Sequence, residues 1–236
     1  MTEIEKNLTD VRARIKRAAE KSGRTTEDIT LVAVTKTHPV EAINEAIDLG
    51  VTDIGENKVQ EIMEKYDYVK PVRWHLIGHL QTNKVKYIID KVYMIHSVDS
   101  IKLMDEIERQ AEKKNVDSIN ILIQINESKE ESKFGIDESQ LDEMIRHAAS
   151  LKRVKDCGLM TILSKFDSEF ALSLQFRDIR DKFIDISGNK YDNITMKFLS
   201  MGMSGDYEIA IEEGSNMVRV GTAIFGHRDY GNKNSI

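Results

Sequence analysis

A lysine stands where a buried strand should end. The run Leu31-Val32-Ala33-Val34-Thr35-Lys36 is apolar and β-branched almost to its last residue, the make-up of a strand covered on both faces. Thr37-His38-Pro39 then breaks it. Burial disfavours an ammonium. A lysine at such a point either snorkels its charge out to water or has its amine consumed chemically, and attack on a carbonyl to give a Schiff base is the chemistry that suits it.

Other chemistry-bearing residues also close apolar runs. Asn57 and His79 do so early, followed by His96-Ser97 and Asn126; Ser200-Met201-Gly202-Met203-Ser204-Gly205 and Gly221-Thr222 do so late. In the late pair, glycine allows backbone amides close to an anion. Ser200, Ser204 and Thr222 add hydroxyls, and a helix after Ser204 turns its positive end towards the same place. Plain connecting turns have the same composition. Arg219, just before the second turn, suits a phosphate, a ring nitrogen or a structural salt bridge.

The elements that position these residues alternate. A helix is expected over 3–21, with Ile4, Leu8, Val11, Ile15 and Ala18 on one face and Ser22-Gly23 ending it. Strands are expected at 30–35, 51–54, 72–77, 92–95, 119–125, within 154–162, at 196–199 and at 217–220. Helices fall between them: 40–49, 57–66, 83–90, one from Asp99, one behind the Asp137/Gln140 capping box, one through Leu172, Phe176, Ile179 and Phe183, and one at 206–213. Strict alternation requires crossovers and parallel strands. Eight such units in 236 residues fit one (β/α)8 barrel spanning 1–236, with an extra N-terminal helix and no second β-domain. A barrel of this kind carries its site at the carboxyl ends of the strands, with anions held after strands 7 and 8. Strand 8 neighbours strand 1, so the amine and the anion turns meet, as an aldehyde bearing a phosphate would require.

The bulk properties exclude several classes. With 34 basic and 40 acidic residues the net charge is −6, unsuited to a nucleic-acid binder. No apolar run approaches the length of a membrane span, and the charged start Met1-Thr2-Glu3-Ile4-Glu5-Lys6 lacks a signal-peptide core. Cys157 is the only cysteine, so no intrachain disulfide forms. A cytoplasmic protein is expected. His75 and His79 have a spacing used by helical metal pairs, but Gly78 lies between them at a strand end, so no metal is expected. Trp74, His75 and His96 read as packed strand residues, Cys157 as a small buried one, and the 127–133 loop as solvated.

Several motifs resemble the pyridoxal phosphate homeostasis protein family. They are Leu31-Val-Ala-Val-Thr-Lys36, Gly55-Glu-Asn57, Trp74-His-Leu-Ile-Gly-His-Leu-Gln-Thr-Asn-Lys84, His96-Ser-Val-Asp99, Gly158-Leu-Met-Thr-Ile162, Leu199-Ser-Met-Gly-Met-Ser204 and Val218-Arg-Val-Gly-Thr-Ala-Ile-Phe-Gly226. The resemblance runs from about residue 5 to residue 230. It implies a barrel like the N-terminal domain of alanine racemase (fold type III of the pyridoxal phosphate proteins), with the cofactor as a Schiff base on Lys36. It further implies Arg219 at the pyridine nitrogen, a phosphate cradle of Ser200, Ser204, Gly221 and Thr222, and Asn57 and His79 in the pocket. The sequence departs from the family at 163–167, where a proline-containing loop is common, and in the 126–135 loop, which lacks a usual internal glycine.

An arginine at the ring nitrogen disfavours the protonated ring that makes this cofactor an electron sink. Racemisation needs acid and base on opposite faces of the substrate carbon, and in alanine racemases a tyrosine from an additional β-domain supplies the second group. The expectation is therefore a pyridoxal 5′-phosphate binder for storage, buffering or delivery, with little or no turnover. Pyridoxal-phosphate-dependent apo-enzymes are the expected recipients and a monomer the expected state. A pyridoxal-phosphate-dependent amino-acid racemase and a class I aldolase-like Schiff-base barrel are the alternatives.

Overall fold

The computed structural model describes residues 1–127, 134–163, 168–188 and 193–226. The expectations attached to the 127–133 loop and to 163–167 thus fall, apart from Glu127 and Leu163, outside the described residues. Helix α1 (Glu3–Lys21) precedes an alternating series: β1 (Thr30–Val34), α2 (Val40–Asp48), β2 (Asp53–Glu56), α3 (Val59–Lys65), β3 (Arg73–Leu76), α4 (Val85–Ile88), β4 (Met94–Val98), α5 (Ile101–Lys113) and β5 (Ile119–Ile125). The series continues with α6 (Leu141–Ser150), β6 (Val154–Thr161), α7 (Glu169–Ser187), β7 (Ile194–Ser200), α8 (Tyr207–Glu212), β8 (Met217–Val220) and α9 (Thr222–Phe225). The eight strands pair in chain order, all parallel, and β8 returns to β1 with Thr30 opposite Met217 and Ala33 opposite Val220. The expected barrel is present.

The main core lies between sheet and helices, where the apolar stripes of α5 and α6 meet the outward faces of the strands. Inside the barrel a smaller apolar group, Val32, Met94, Leu122, Cys157, Met160 and Met217, fills part of the space. Cys157 is buried, as its reading as a small core residue requires. Thr2 and Glu5 form the capping box that starts α1. That helix does not plug the barrel floor; it lies along α2, α8 and α9. Asn7 donates to the Ile224 carbonyl at 3.0 Å, Arg14 pairs with Glu208, and Arg24, just beyond, donates to the Ser215 carbonyl at 2.9 Å.

Element boundaries move where polar residues sit inside strands. β2 was expected at 51–54 but occupies Asp53–Glu56. Gly55 reads as a breaker, yet it is a strand residue paired with Val34 and His75, and the position is tight: a Cβ there would come within 3.0 Å of Val32 and 3.1 Å of Ile77. Glu56 reads as a turn residue, yet it is fully buried and paired with Lys65. β4 was expected at 92–95 and runs to Val98, so His96 and Ser97 lie within it, both buried. The expected helix at 83–90 is a 3-10 turn (Thr82–Lys84) followed by the single turn of α4.

Candidate functional site

At the carboxyl ends of the strands lies a cavity of ≈ 440 Å³, within the range of small-molecule sites. Seven of the eight expected site residues line it: Lys36, Asn57, His79, Ser204, Arg219, Gly221 and Thr222. Val34, Ile77, Gln124, Phe134, Ile162 and Met203 complete the walls.

Lys36 leaves β1 on a turn that charges hold in place. Thr37 takes φ = +68°, a conformation that costs a threonine energy. Its amide donates to Glu61 Oε2 at 2.7 Å. On the other side of Lys36, Thr35 Oγ1 donates to Glu56 Oε1 at 2.7 Å. Lys65 joins the two carboxylates, with its Nζ 2.8 Å from Glu56, 2.9 Å from Glu61 and 3.1 Å from the Thr35 carbonyl. Burial pushes the Glu56 carboxyl above its ordinary range against the pull of Lys65. At Glu61 burial also pushes upward, but the Thr37 amide and Lys65 outweigh it and the carboxyl sits low. Glu56, Glu61 and Lys65 were not foreseen; Glu61 and Lys65 look like ordinary surface charges on a helix, Glu56 reads as a turn residue, and only the burial of Glu56 marks them.

The opposite wall is made by the turns after β7 and β8. Ser204 Oγ accepts from the amides of Gly221 at 3.1 Å and Ala223 at 3.3 Å. Two backbone N–H groups thus converge beside the cavity, an arrangement that seeks oxygen. Gly202 has φ = +97°, and a Cβ there would lie 2.7 Å from Ala210 Cβ and 2.9 Å from Tyr207 Cα, so only glycine brings this turn against α8. Asp206 accepts from the Met203 amide, and burial raises its pKa.

Arg219 forms the floor between these walls. Its side chain is 3% exposed. It donates to the Ser200 carbonyl at 2.8 Å, to Ser200 Oγ at 2.7 Å and to the Thr161 carbonyl at 2.8 Å. Burial lowers its pKa to about 10, so it is a cation at neutral pH. Ser200 corrects an expectation: its side chain does not line the cavity but is fully buried, its hydroxyl taken up by Arg219 and His96. His79 stands at the rim, with Nδ1 3.2 Å from Asp99 and its ring stacked 3.9 Å from Phe134. Gly78 makes room there: a Cβ would lie 2.4 Å from the Asn57 carbonyl oxygen. His75 and His96 are buried in the barrel, as packed strand residues should be, and His75 does not pair with His79.

The fold and this site define a class: parallel (β/α)8 barrels of the alanine racemase type, with an amine at the end of the first strand. The model described as "Alanine racemase, N-terminal domain" matches residues 7–229. The Escherichia coli "Pyridoxal phosphate homeostasis protein" is 42% identical over 240 residues, covering 99% of this chain and 100% of that one. The chain belongs to the pyridoxal phosphate homeostasis protein family. Among solved structures, PipY of Synechococcus elongatus "with PLP bound" aligns at a TM-score of 0.81 and 30% identity, over 94% of this chain and 100% of that chain. An alanine racemase of Clostridium difficile aligns at 0.73 with 17% identity, over 97% of this chain and 57% of the racemase. That likeness is one of fold.

Proposed function

We propose that this protein binds pyridoxal 5′-phosphate on Lys36 and serves its storage, buffering or delivery in the cytoplasm, with little or no turnover. The observation that carries the reading is the triangle around the cavity: the Lys36 amine on one wall, the Gly221 and Ala223 amides converging on the Ser204 hydroxyl on the next, and the buried Arg219 cation at the floor. The residues fit the group. A buried cation with neutral partners on β6 and β7 suits an electron-rich ring atom or an anion, and the glycine turns suit a phosphate. When bound, the cofactor supplies an aldehyde for amine capture and, with its ring protonated, an electron sink.

Lys36 would hold the aldehyde carbon. Ser204, Gly221 and Thr222 would hold the phosphate through amides and hydroxyls. Arg219 would disfavour a proton on any ring nitrogen brought against it, which leaves the site suited to holding more than to reacting. Asn57 and His79 would close the remaining sides, with Asp99 orienting His79. The name carried by the relatives, a homeostasis protein, supports the same reading. Apo-enzymes that use the cofactor are the proposed recipients.

The test is an absorbance spectrum of the protein as purified, repeated after borohydride reduction and peptide mass mapping. A yellow protein fixed with phosphopyridoxyl on Lys36 is the expected result. A colourless protein still unmodified after added pyridoxal 5′-phosphate would overturn the cofactor assignment. Amino-acid racemase turnover above about 1 per second, the low end of ordinary enzymes, would overturn the carrier role.

A further inference from the structure

The interior of the barrel is not uniformly apolar. Beside the group of Val32, Met94, Leu122 and their neighbours runs a line of polar side chains, one from each of five strands. Asp53 Oδ1 lies 2.9 Å from His75 Nε2, His75 Nδ1 lies 2.8 Å from His96 Nε2, and His96 Nδ1 lies 3.1 Å from Ser200 Oγ. Ser200 Oγ accepts from Arg219 Nη1 at 2.7 Å. None of the five is more than 3% exposed. At the floor, Arg73, half in solvent, pairs with Asp53 at 2.6 Å. At the mouth, Arg219 lines the cavity.

We propose that Asp53, His75, His96 and Ser200 form a one-way donor chain that positions Arg219 and carries the Asp53 charge through the barrel to the cofactor site. The direction follows from the ends. A guanidinium only donates and a carboxylate only accepts. Each neutral imidazole has one donor and one acceptor nitrogen. His75 must therefore give its Nε2 proton to Asp53, leaving Nδ1 to accept. His96 must then donate from Nε2 and accept at Nδ1 from the Ser200 hydroxyl, whose oxygen accepts from Arg219. Any other set of tautomers puts two protons or two lone pairs face to face.

The charges agree with this order. Burial pushes both imidazoles towards the neutral form, opposed at His75 by Asp53 and reinforced at His96 by His75 and Arg219. At Asp53 burial raises the pKa, but hydrogen bonds from His75, Arg73 and Thr52 outweigh it and bring it to about 2. Other groups also face the chain: the Tyr93 ring stands edge-on to His75 at 5.5 Å, and the Asp206 charge favours the Arg219 cation. Apolar residues would have filled this space at less desolvation cost. All four hydrogens point away from Arg219, so the chain shows the guanidinium lone pairs alone and steadies a buried cation from a carboxylate on the far side of the barrel. Asp53, His75, His96 and Ser200 are on this view positioning residues for the cofactor-facing arginine. The tautomer order stands on geometry alone, whereas its effect on the cofactor rests on the function proposed above.

Two measurements separate those parts. The first is ¹⁵N NMR of the full chain with labelled histidine, before any pyridoxal 5′-phosphate is added, at neutral pH. His75 and His96 should both be neutral with the proton on Nε2. Either one protonated, or protonated on Nδ1, overturns the chain whether or not the protein binds the cofactor. The second is titration with pyridoxal 5′-phosphate of wild type, Asp53→Asn and Ser200→Ala, each checked for native circular dichroism. Asp53→Asn should release the His75 tautomer, displace the visible band of the bound cofactor and weaken binding about tenfold. Ser200→Ala, a small change that spares the Asp53–His75 link, should leave the His75 signal in place yet displace the same band. If the variants keep the wild-type band and affinity, the chain is structural filler and the proposal fails. If wild type itself takes up no cofactor, the function proposed above fails, and the NMR result still decides the tautomer order.

Discussion

On the lysine side of the cavity the chain leaves its strand through a turn held by three charged side chains; on the anion side it leaves through turns held by glycines and backbone amides. Lys36 lies between Thr35 and Thr37, both hydrogen-bonded into the Glu56–Lys65–Glu61 cluster. Ser204 and Gly221 are placed by close packing of Gly202 on α8 and by amides that share one hydroxyl. The difference matches the tasks. The covalent attachment proposed for Lys36 would need a fixed start to its long stem, and buried ion pairs supply directional restraint. An anion is satisfied by several N–H groups at once, so backbone geometry suffices.

The comparison is open to attack from both sides. Lys65→Met leaves the buried Glu56 without its cation and should cost about 3–5 kcal/mol in urea unfolding, with slower loading of the cofactor. A loss below about 1 kcal/mol would show the clamp to be ornamental. Gly202→Ala forces a Cβ against Ala210 and Tyr207 and should cost about 1–3 kcal/mol; because it acts on the other wall, loaded cofactor should still fix on Lys36. Ser204→Ala should leave stability near wild type and weaken inorganic phosphate and pyridoxal 5′-phosphate together, by about tenfold. Weakening of the cofactor alone would detach this serine from the phosphate.

The smallest expected effect is one of pH, and it has opposite signs on the two walls. Glu61 has a lowered pKa in the folded chain. It therefore adds stability above its ordinary range, and this is lost as the pH falls through the folded value. Asp206 has a raised one: the folded state holds the proton more tightly, so its contribution declines as the pH rises through the folded value. Unfolding of Glu61→Gln and Asp206→Asn against wild type, from pH 7 down to acid, should show the Gln variant's deficit shrinking and the Asn variant's relative advantage shrinking as well. Parallel slopes of the same sign would contradict the assignment.

The anion wall was legible in the sequence because its devices are compositional. Glycine, serine and threonine after strands 7 and 8 announce themselves, and Ser204, Gly221 and Thr222 do line the cavity. Lys36 was legible because charge at the end of an apolar run is rare. The clamp beneath it was not: Glu61 and Lys65 have the spacing of any exposed helical ion pair, and Glu56 stood next to a glycine that reads as a turn. Ser200 was misplaced for a related reason. A residue at a strand end can open on the cavity or be packed in the interior beneath it, and Ser200 is packed there because Arg219, from the neighbouring strand, takes its hydroxyl. The polar chain inside the barrel escaped entirely as a chain, since its members come from five strands and share no local pattern.

The pairing of β1 with β8 also sets when this site comes into being. During synthesis the lysine wall emerges first, with β2 and α3 soon after. The anion wall emerges last, together with α8 and α9, the main partners of α1. Until then α1 has only α2 of its partner helices beside it and the β8-facing edge of β1 is open, and closure must wait on contacts spanning nearly the whole chain, a slow class of event. An unfinished chain therefore carries the proposed attachment lysine without the turn that would hold a phosphate beside it. Firm capture of the cofactor then reports that the ring of strands has closed, and a ligand added during refolding should favour the closed form by mass action.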